Sequence, residues 1–228
     1  MRRRSFWLIA LLLFVLGCGR KAPPLSPEEA LPMVLSGLQG SARPEGILLF
    51  WKAPPELSNS SYRIFRREDA VRGGWRSLGE VAPLSEEGES LFWDETVEAG
   101  YQYHYVARWL DSRGRWMGTS NEVVLSWERP MEAPQNLRAR RFGQGVEIFW
   151  SPIQLEGIEI VGYVVYRWRE REEISLFPIT LTPVLAPPFV DLKIPEGGKY
   201  QYRVAAVHRF GDTLMQGRVS EPVSIEIK

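Results

Sequence analysis

Cysteine is nearly absent from this chain: Cys18 is the single one in 228 residues. A disulfide within the chain is therefore excluded, and no cysteine pattern for zinc or haem exists. Stability must come from packing alone. Histidine is almost as scarce, with His104 and His208 only. Two isolated histidines make a poor metal site, and no serine–aspartate pattern accompanies either to mark a triad. A basic surplus is missing too, since 28 Lys+Arg balance 28 Asp+Glu. That argues against a nucleic-acid partner, which would want a basic face. Carboxylate runs occur at Glu86, Glu87 and Glu89 and at Glu170, Glu172 and Glu173. They sit in turn-like, charge-rich stretches and read as solvated loops rather than a glycosidase pair. No catalytic residue, no metal and no cofactor is expected.

What is present begins with an export signal. Arg2, Arg3 and Arg4 form a positive start, followed by the apolar run Phe6 to Leu16. Eleven helical residues span roughly 17 Å, too little for a hydrocarbon core of about 30 Å. Val15-Leu16-Gly17-Cys18 closes the run and resembles a bacterial lipobox. The resemblance implies cleavage between Gly17 and Cys18 and attachment of lipid to the Cys18 thiol. Two or three acyl chains then hold a protein durably, at about 0.8 kcal/mol per buried CH₂. Gly19 stands where an Asp would favour the inner membrane, so the implied address is the cell envelope, at the outer membrane. Prolines at 23, 24 and 27 keep the following segment extended. The expected division is a signal peptide helix at 1–17 and a lipidated, Pro-rich tether at 18–30. Removing Arg2, Arg3 and Arg4 with the signal leaves 25 basic against 28 acidic side chains, near −3.

The remainder contains itself twice. Gly46-Ile-Leu-Leu-Phe-Trp51 recurs as Gly145-Val-Glu-Ile-Phe-Trp150, and Tyr62 to Arg66 as Tyr163 to Arg167. Phe92-Trp-Asp94 recurs as Phe189-Val-Asp191, and Tyr101-Gln-Tyr103 as Tyr200-Gln-Tyr202. Apolar and polar residues alternate around these motifs, and Gly- and Pro-bearing turns separate them, so the local signal is strand. About seven short strands per hundred residues point to a β-sandwich.

On these residues the chain resembles the fibronectin type III family. Trp51 and Trp150 sit where that family carries a core tryptophan. Ile194, Pro195, Gly197 and Tyr200 match its tyrosine corner, with Tyr101 as the first copy's counterpart. The resemblance implies an all-β fold of two tandem seven-stranded immunoglobulin-like sandwiches, at 31–128 and 133–228 with a linker at 129–132. The Pro130 linker is short enough to limit swivelling.

Eight tryptophans survive processing. Trp51 and Trp150 are expected in cores. Trp109 and Trp116 flank the turn at Asp111–Gly114 and are expected to pair across it, as candidates for a binding surface. The expected role is a non-catalytic, membrane-anchored scaffold or adaptor for an envelope protein. The alternative is a glycan-binding lipoprotein that stacks peptidoglycan or polysaccharide on exposed tryptophans.

Overall fold

A computed structural model describes residues 37–57, 60–69, 74–84, 88–110 and 115–227. The signal segment and tether, with Gly17 and Cys18, lie outside the described residues. The fold is all-β. The only helical element among the described residues is a three-residue 3-10 turn at Pro55–Leu57. No helix there is long and apolar enough to cross a membrane.

The first half supplies β1 (Gln39–Arg43), β2 (Gly46–Lys52), β3 (Ser61–Glu68), β4 (Arg76–Val81), β5 (Glu89–Asp94), β6 (Tyr101–Leu110), β7 (Trp116–Thr119) and β8 (Val123–Trp127). The second supplies β9 (Gln135–Phe142), β10 (Gly145–Ser151), β11 (Ile160–Arg169), β12 (Phe189–Asp191), β13 (Gly198–Phe210), β14 (Thr213–Val219) and β15 (Val223–Ile227). One sheet orders β4-β3-β6-β7 with β8 also on β6, and another orders β12-β10-β9. The third runs β11-β13-β14-β1-β2-β5, with β15 also on β13.

That third sheet belongs to both halves. β1 and β14 lie side by side in parallel, with Ala42 opposite Met215. Register then fixes the faces, because directly paired residues share one. Ala42 pairs with Ile47, and Met215 with His208. All four therefore lie on the inner side.

The period-two alternation builds two cores from this side. Ile47, Leu49 and Trp51 meet Tyr62, Ile64, Tyr103, Tyr105 and Trp109 in the first. Val146, Ile148 and Trp150 meet Tyr163, Val165, Tyr200, Tyr202 and Val204 in the second. Trp51 packs edge-on against Tyr62 (5.3 Å, 70°), and Trp150 packs tilted against Tyr163 (5.2 Å, 56°). Both tryptophans are core anchors, each 4% exposed.

Met215, on a strand of the second half, is part of the first core. Further contacts fix the junction. The Ser126 amide donates to Thr213 Oγ1 (2.8 Å), and the Arg218 amide donates to the Met131 carbonyl (2.9 Å). Gly217 must be glycine, since a Cβ there would collide with the Met131 side chain.

Candidate functional site

Each half places an arginine on one strand, Arg66 on β3 and Arg167 on β11, and an aspartate at the end of another, Asp94 on β5 and Asp191 on β12. The fold brings them together. Arg66 Nη1 donates to Asp94 Oδ2 (2.7 Å) and to Thr96 Oγ1 (2.9 Å), while Tyr105 donates to the same Asp94 oxygen (2.9 Å). Asp94 Oδ1 accepts from the Thr96 amide (3.0 Å) and hydroxyl (2.7 Å). In the second half Arg167 (2.7 Å) and Tyr202 (2.9 Å) converge on Asp191 Oδ2, and the Lys193 amide on Oδ1 (3.0 Å). Burial alone would raise the Asp94 carboxyl. The hydrogen bonds from Thr96, Arg66 and Tyr105, with the Arg66 charge, outweigh it and hold the group below the usual carboxylate range. Burial first, and then the Asp94 charge, push the Tyr105 phenol up. These are satisfied structural networks. Every charge in them has a partner.

The tyrosine corners follow the same duplication, with one correction. Tyr200 donates to the Glu196 carbonyl (2.9 Å), where the sequence places the corner. In the first half the corner is Tyr103, which accepts from the Glu98 amide (2.7 Å), and not Tyr101. Tyr101 is exposed. It pairs with Trp127 just as Gly198 pairs with Ile227, so Tyr103 is the equivalent of Tyr200.

The two proposed surface tryptophans separate. Trp109 is 2% exposed and lies in the first core, so it cannot form a binding surface. It continues the inward alternation of Tyr103, Tyr105 and Ala107. Trp109 pairs with Gly118, while Trp116 pairs with Leu110, across a register shift. The bulge turns Trp116 to the opposite face, and the expected Trp109–Trp116 pair does not form. Trp116 is 54% exposed. The other unassigned tryptophans fall elsewhere. Trp168 is buried, and Trp127 donates its indole N–H to the Arg43 carbonyl (2.8 Å).

Around Trp116 the outer face of β3, β6 and β7 carries a stack that sequence reasoning missed. The Arg108 guanidinium lies 4.3 Å from the Trp116 ring and 4.7 Å from the Phe65 ring. The two rings meet edge-on at 5.5 Å. Further along, Arg67 lies 5.4 Å from the Trp75 ring and 3.1 Å from His104 Nδ1. His104 Nε2 is 2.7 Å from Asp69, and Glu122 contacts its Nδ1. The alternation of Phe65, Arg67, Val106 and Arg108 was the available signal.

His208, by contrast, is buried at the end of β13, and burial lowers its imidazole pKa. It lines a cleft of ≈450 Å³ beside Met131 and Phe210. The histidines thus occupy separate places. No group of three or more His, Cys, Asp or Glu among the described residues is arranged to hold a metal ion. Glu170 is paired with Lys199, and Glu172 and Glu173 are exposed.

No family model matches the chain. Among solved structures it is similar to a crystal structure of chicken CNTN1 FN1–FN3 domains. Identity is 16%, the match covers 86% of this chain and 68% of that one, and the TM-score is 0.35.

Proposed function

We propose that this chain is a lipid-anchored cell-envelope protein that acts as a non-catalytic scaffold or adaptor for another protein. Its address is the outer membrane, facing the periplasm or the exterior. Cys18 carries the lipid after cleavage behind Gly17, residues 18–30 are the tether, and 31–128 and 133–228 are two fibronectin type III-like sandwiches joined by 129–132. The described residues support the pairing. Each half repeats one tryptophan anchor, one Arg–Asp–Tyr network and one tyrosine corner.

The single observation that carries the binding role is the Phe65–Arg108–Trp116 stack on an open sheet face. Tryptophan and arginine dominate binding hot spots, and here each holds the other in place before a partner arrives. The shared sheet makes the two halves a stiff spacer behind that face.

The test is a crosslinking pull-down from native envelopes, with wild type beside Cys18→Ser and Trp116→Ala. Recovery of one defined protein, lost in both variants, is the expected result. Recovery of no protein, together with co-sedimentation on peptidoglycan or polysaccharide, would favour the glycan-binding alternative. That reading has lost Trp109 to the core, and Trp116 has Arg108 against its ring. Membrane retention unchanged in Cys18→Ser would overturn the anchor.

A further inference from the structure

The connection between β11 and β12 is long and oddly apolar for a surface segment. Near its end it returns along the edge of β11, where Tyr163 and Val184 exchange both backbone hydrogen bonds (2.8 and 2.7 Å). Before that it reaches across to the first half. Phe177 meets Phe50 edge-on at 5.2 Å, and Arg43 donates to the Leu176 carbonyl. Those contacts leave much of the segment uncovered. Leu181 is 100% exposed, Leu185 83% and Ile174 52%. Leu84, on the neighbouring turn of the first half, is 65% exposed. Single exposed leucines need no explanation, but five exposed large apolar residues on one 12-residue segment (Ile174, Leu176, Phe177, Leu181 and Leu185), with Leu84 in the cleft of Phe177, mark an interaction site.

Two observations name the occupant. The first is the position of the chain's entry. Gly37, Leu84 and Phe177 line one cleft of ≈370 Å³, so the chain passes beside this apolar edge at Gly37. Leu181 is four residues beyond Phe177, within about 14 Å along the chain. From Cys18 to Gly37 is 19 residues, at most about 65 Å when fully extended. A lipid on Cys18 therefore keeps a bilayer within reach of these leucines. The second is charge. Glu172 and Glu173, both exposed, flank the patch beside Arg171. Among the described residues the nearby cations are scattered, with Lys52 in the cleft of Leu84 and Lys193 in the cleft of Leu181, so attraction rests on apolar insertion rather than on a basic cluster.

We propose that Leu84 and the Ile174–Leu185 segment form a lipid-contacting edge. The edge rests on the bilayer surface, inserts leucine side chains at the interface and sets the orientation of both halves. This rests on the reading of Cys18 as the lipidated residue. Contact should be indifferent to salt and to the fraction of anionic lipid, unlike a polybasic surface site.

The test uses the full-length lipidated chain in protein-free phosphatidylcholine vesicles, with and without added phosphatidylglycerol. Nitroxide labels are placed through Leu185→Cys and, as a control, Phe142→Cys, which is also exposed (52%) but lies at the end of β9. Cys18 is acylated and does not react. The label at 185 should gain oxygen accessibility and lose accessibility to a water-borne nickel chelate. The ratio should rise several-fold over that at 142, equally in both vesicle types. Equal ratios at 185 and 142 in chain that is held through Cys18 overturn the proposal and leave the anchor standing. Shielding only when phosphatidylglycerol is present overturns the apolar mechanism. Chain that never becomes membrane-held through Cys18 overturns the anchor and the proposal with it.

Discussion

The two halves repeat one plan but spend the same strands differently. In the first, the outer face of β1, β2 and β5 is covered. Leu48 is fully buried opposite Trp93, and Arg43 lies between the Trp93 ring (6.0 Å) and the Phe177 ring (5.8 Å). The equivalent face in the second half, on β9, β10 and β12, is open and charged. There Arg138 and Arg140 stand exposed beside Phe149, and Arg140 pairs with Glu147. The other sheet reverses the pattern. Val164, Tyr166 and Trp168 are buried on the outer face of the second half, while the first half shows Trp116 and Arg108. With β1 paired to β14, the two copies of the module present different surfaces. Pairing β1 with β14 removes two open sheet edges at once, which is a general liability of sandwiches.

The largest expected effect compares the two ionic networks. Asp94→Ala should destabilise by about 3–5 kcal/mol, because the Arg66 charge would remain buried and unpaired. Asp191→Ala should cost less, since Asp191 Oδ1 accepts only the Lys193 amide where Asp94 Oδ1 accepts both an amide and a hydroxyl. Urea unfolding of the two variants decides it; equal losses would break the distinction. The first network also sets an acid limit. Its folded carboxyl is held low, so the unfolded state binds more protons in acid. The stabilisation is complete above the ordinary carboxylate pKa of about 4 and fades as pH falls below it. Asp94→Asn should flatten that slope in an acid titration followed by tryptophan fluorescence.

Next is the strand shared between halves. Met215→Ala removes a side chain of the second half from the first core and should cost about 2–5 kcal/mol. Because the loss falls at the junction, unfolding should separate into two transitions where wild type shows one. A single transition in the variant would mean that the halves are coupled elsewhere. Arg43→Ala should cost about 1–3 kcal/mol by removing its charged hydrogen bond to the Leu176 carbonyl. Hydrogen exchange should then rise around residues 174–179 while the first core stays protected. Smallest is Trp116→Ala, at about 0.5–1 kcal/mol for the lost cation–π contact, with stability otherwise kept.

Much of this plan was legible in the residues, and the failures are informative. The core tryptophans and the second corner could be read because Pro195, Gly197 and Tyr200 have a spacing of their own. The first corner could not. Tyr101, Tyr103 and Tyr105 share one parity, and only the fold places Tyr103 under Glu98 and Tyr105 on Asp94. Trp109 was legible in principle, as it continues the inward alternation, but its nearness to Trp116 in sequence concealed the bulge between them. The β1–β14 contact leaves almost no sequence signal. It joins residues 173 positions apart through Ala42 and Met215, with no motif to mark either. The Arg108 stack was hidden likewise, since Phe65 and Trp116 meet only once β3 and β7 have paired with β6.

The comparison between open faces yields the most direct test of the scaffold reading. A photo-crosslinking residue would be placed at Trp116 on the first half and at Phe142 on the second, and each protein irradiated in native envelopes. The account predicts one defined protein adduct from position 116 and none of that size from 142. Adducts from 142 alone, or from neither position, would contradict it.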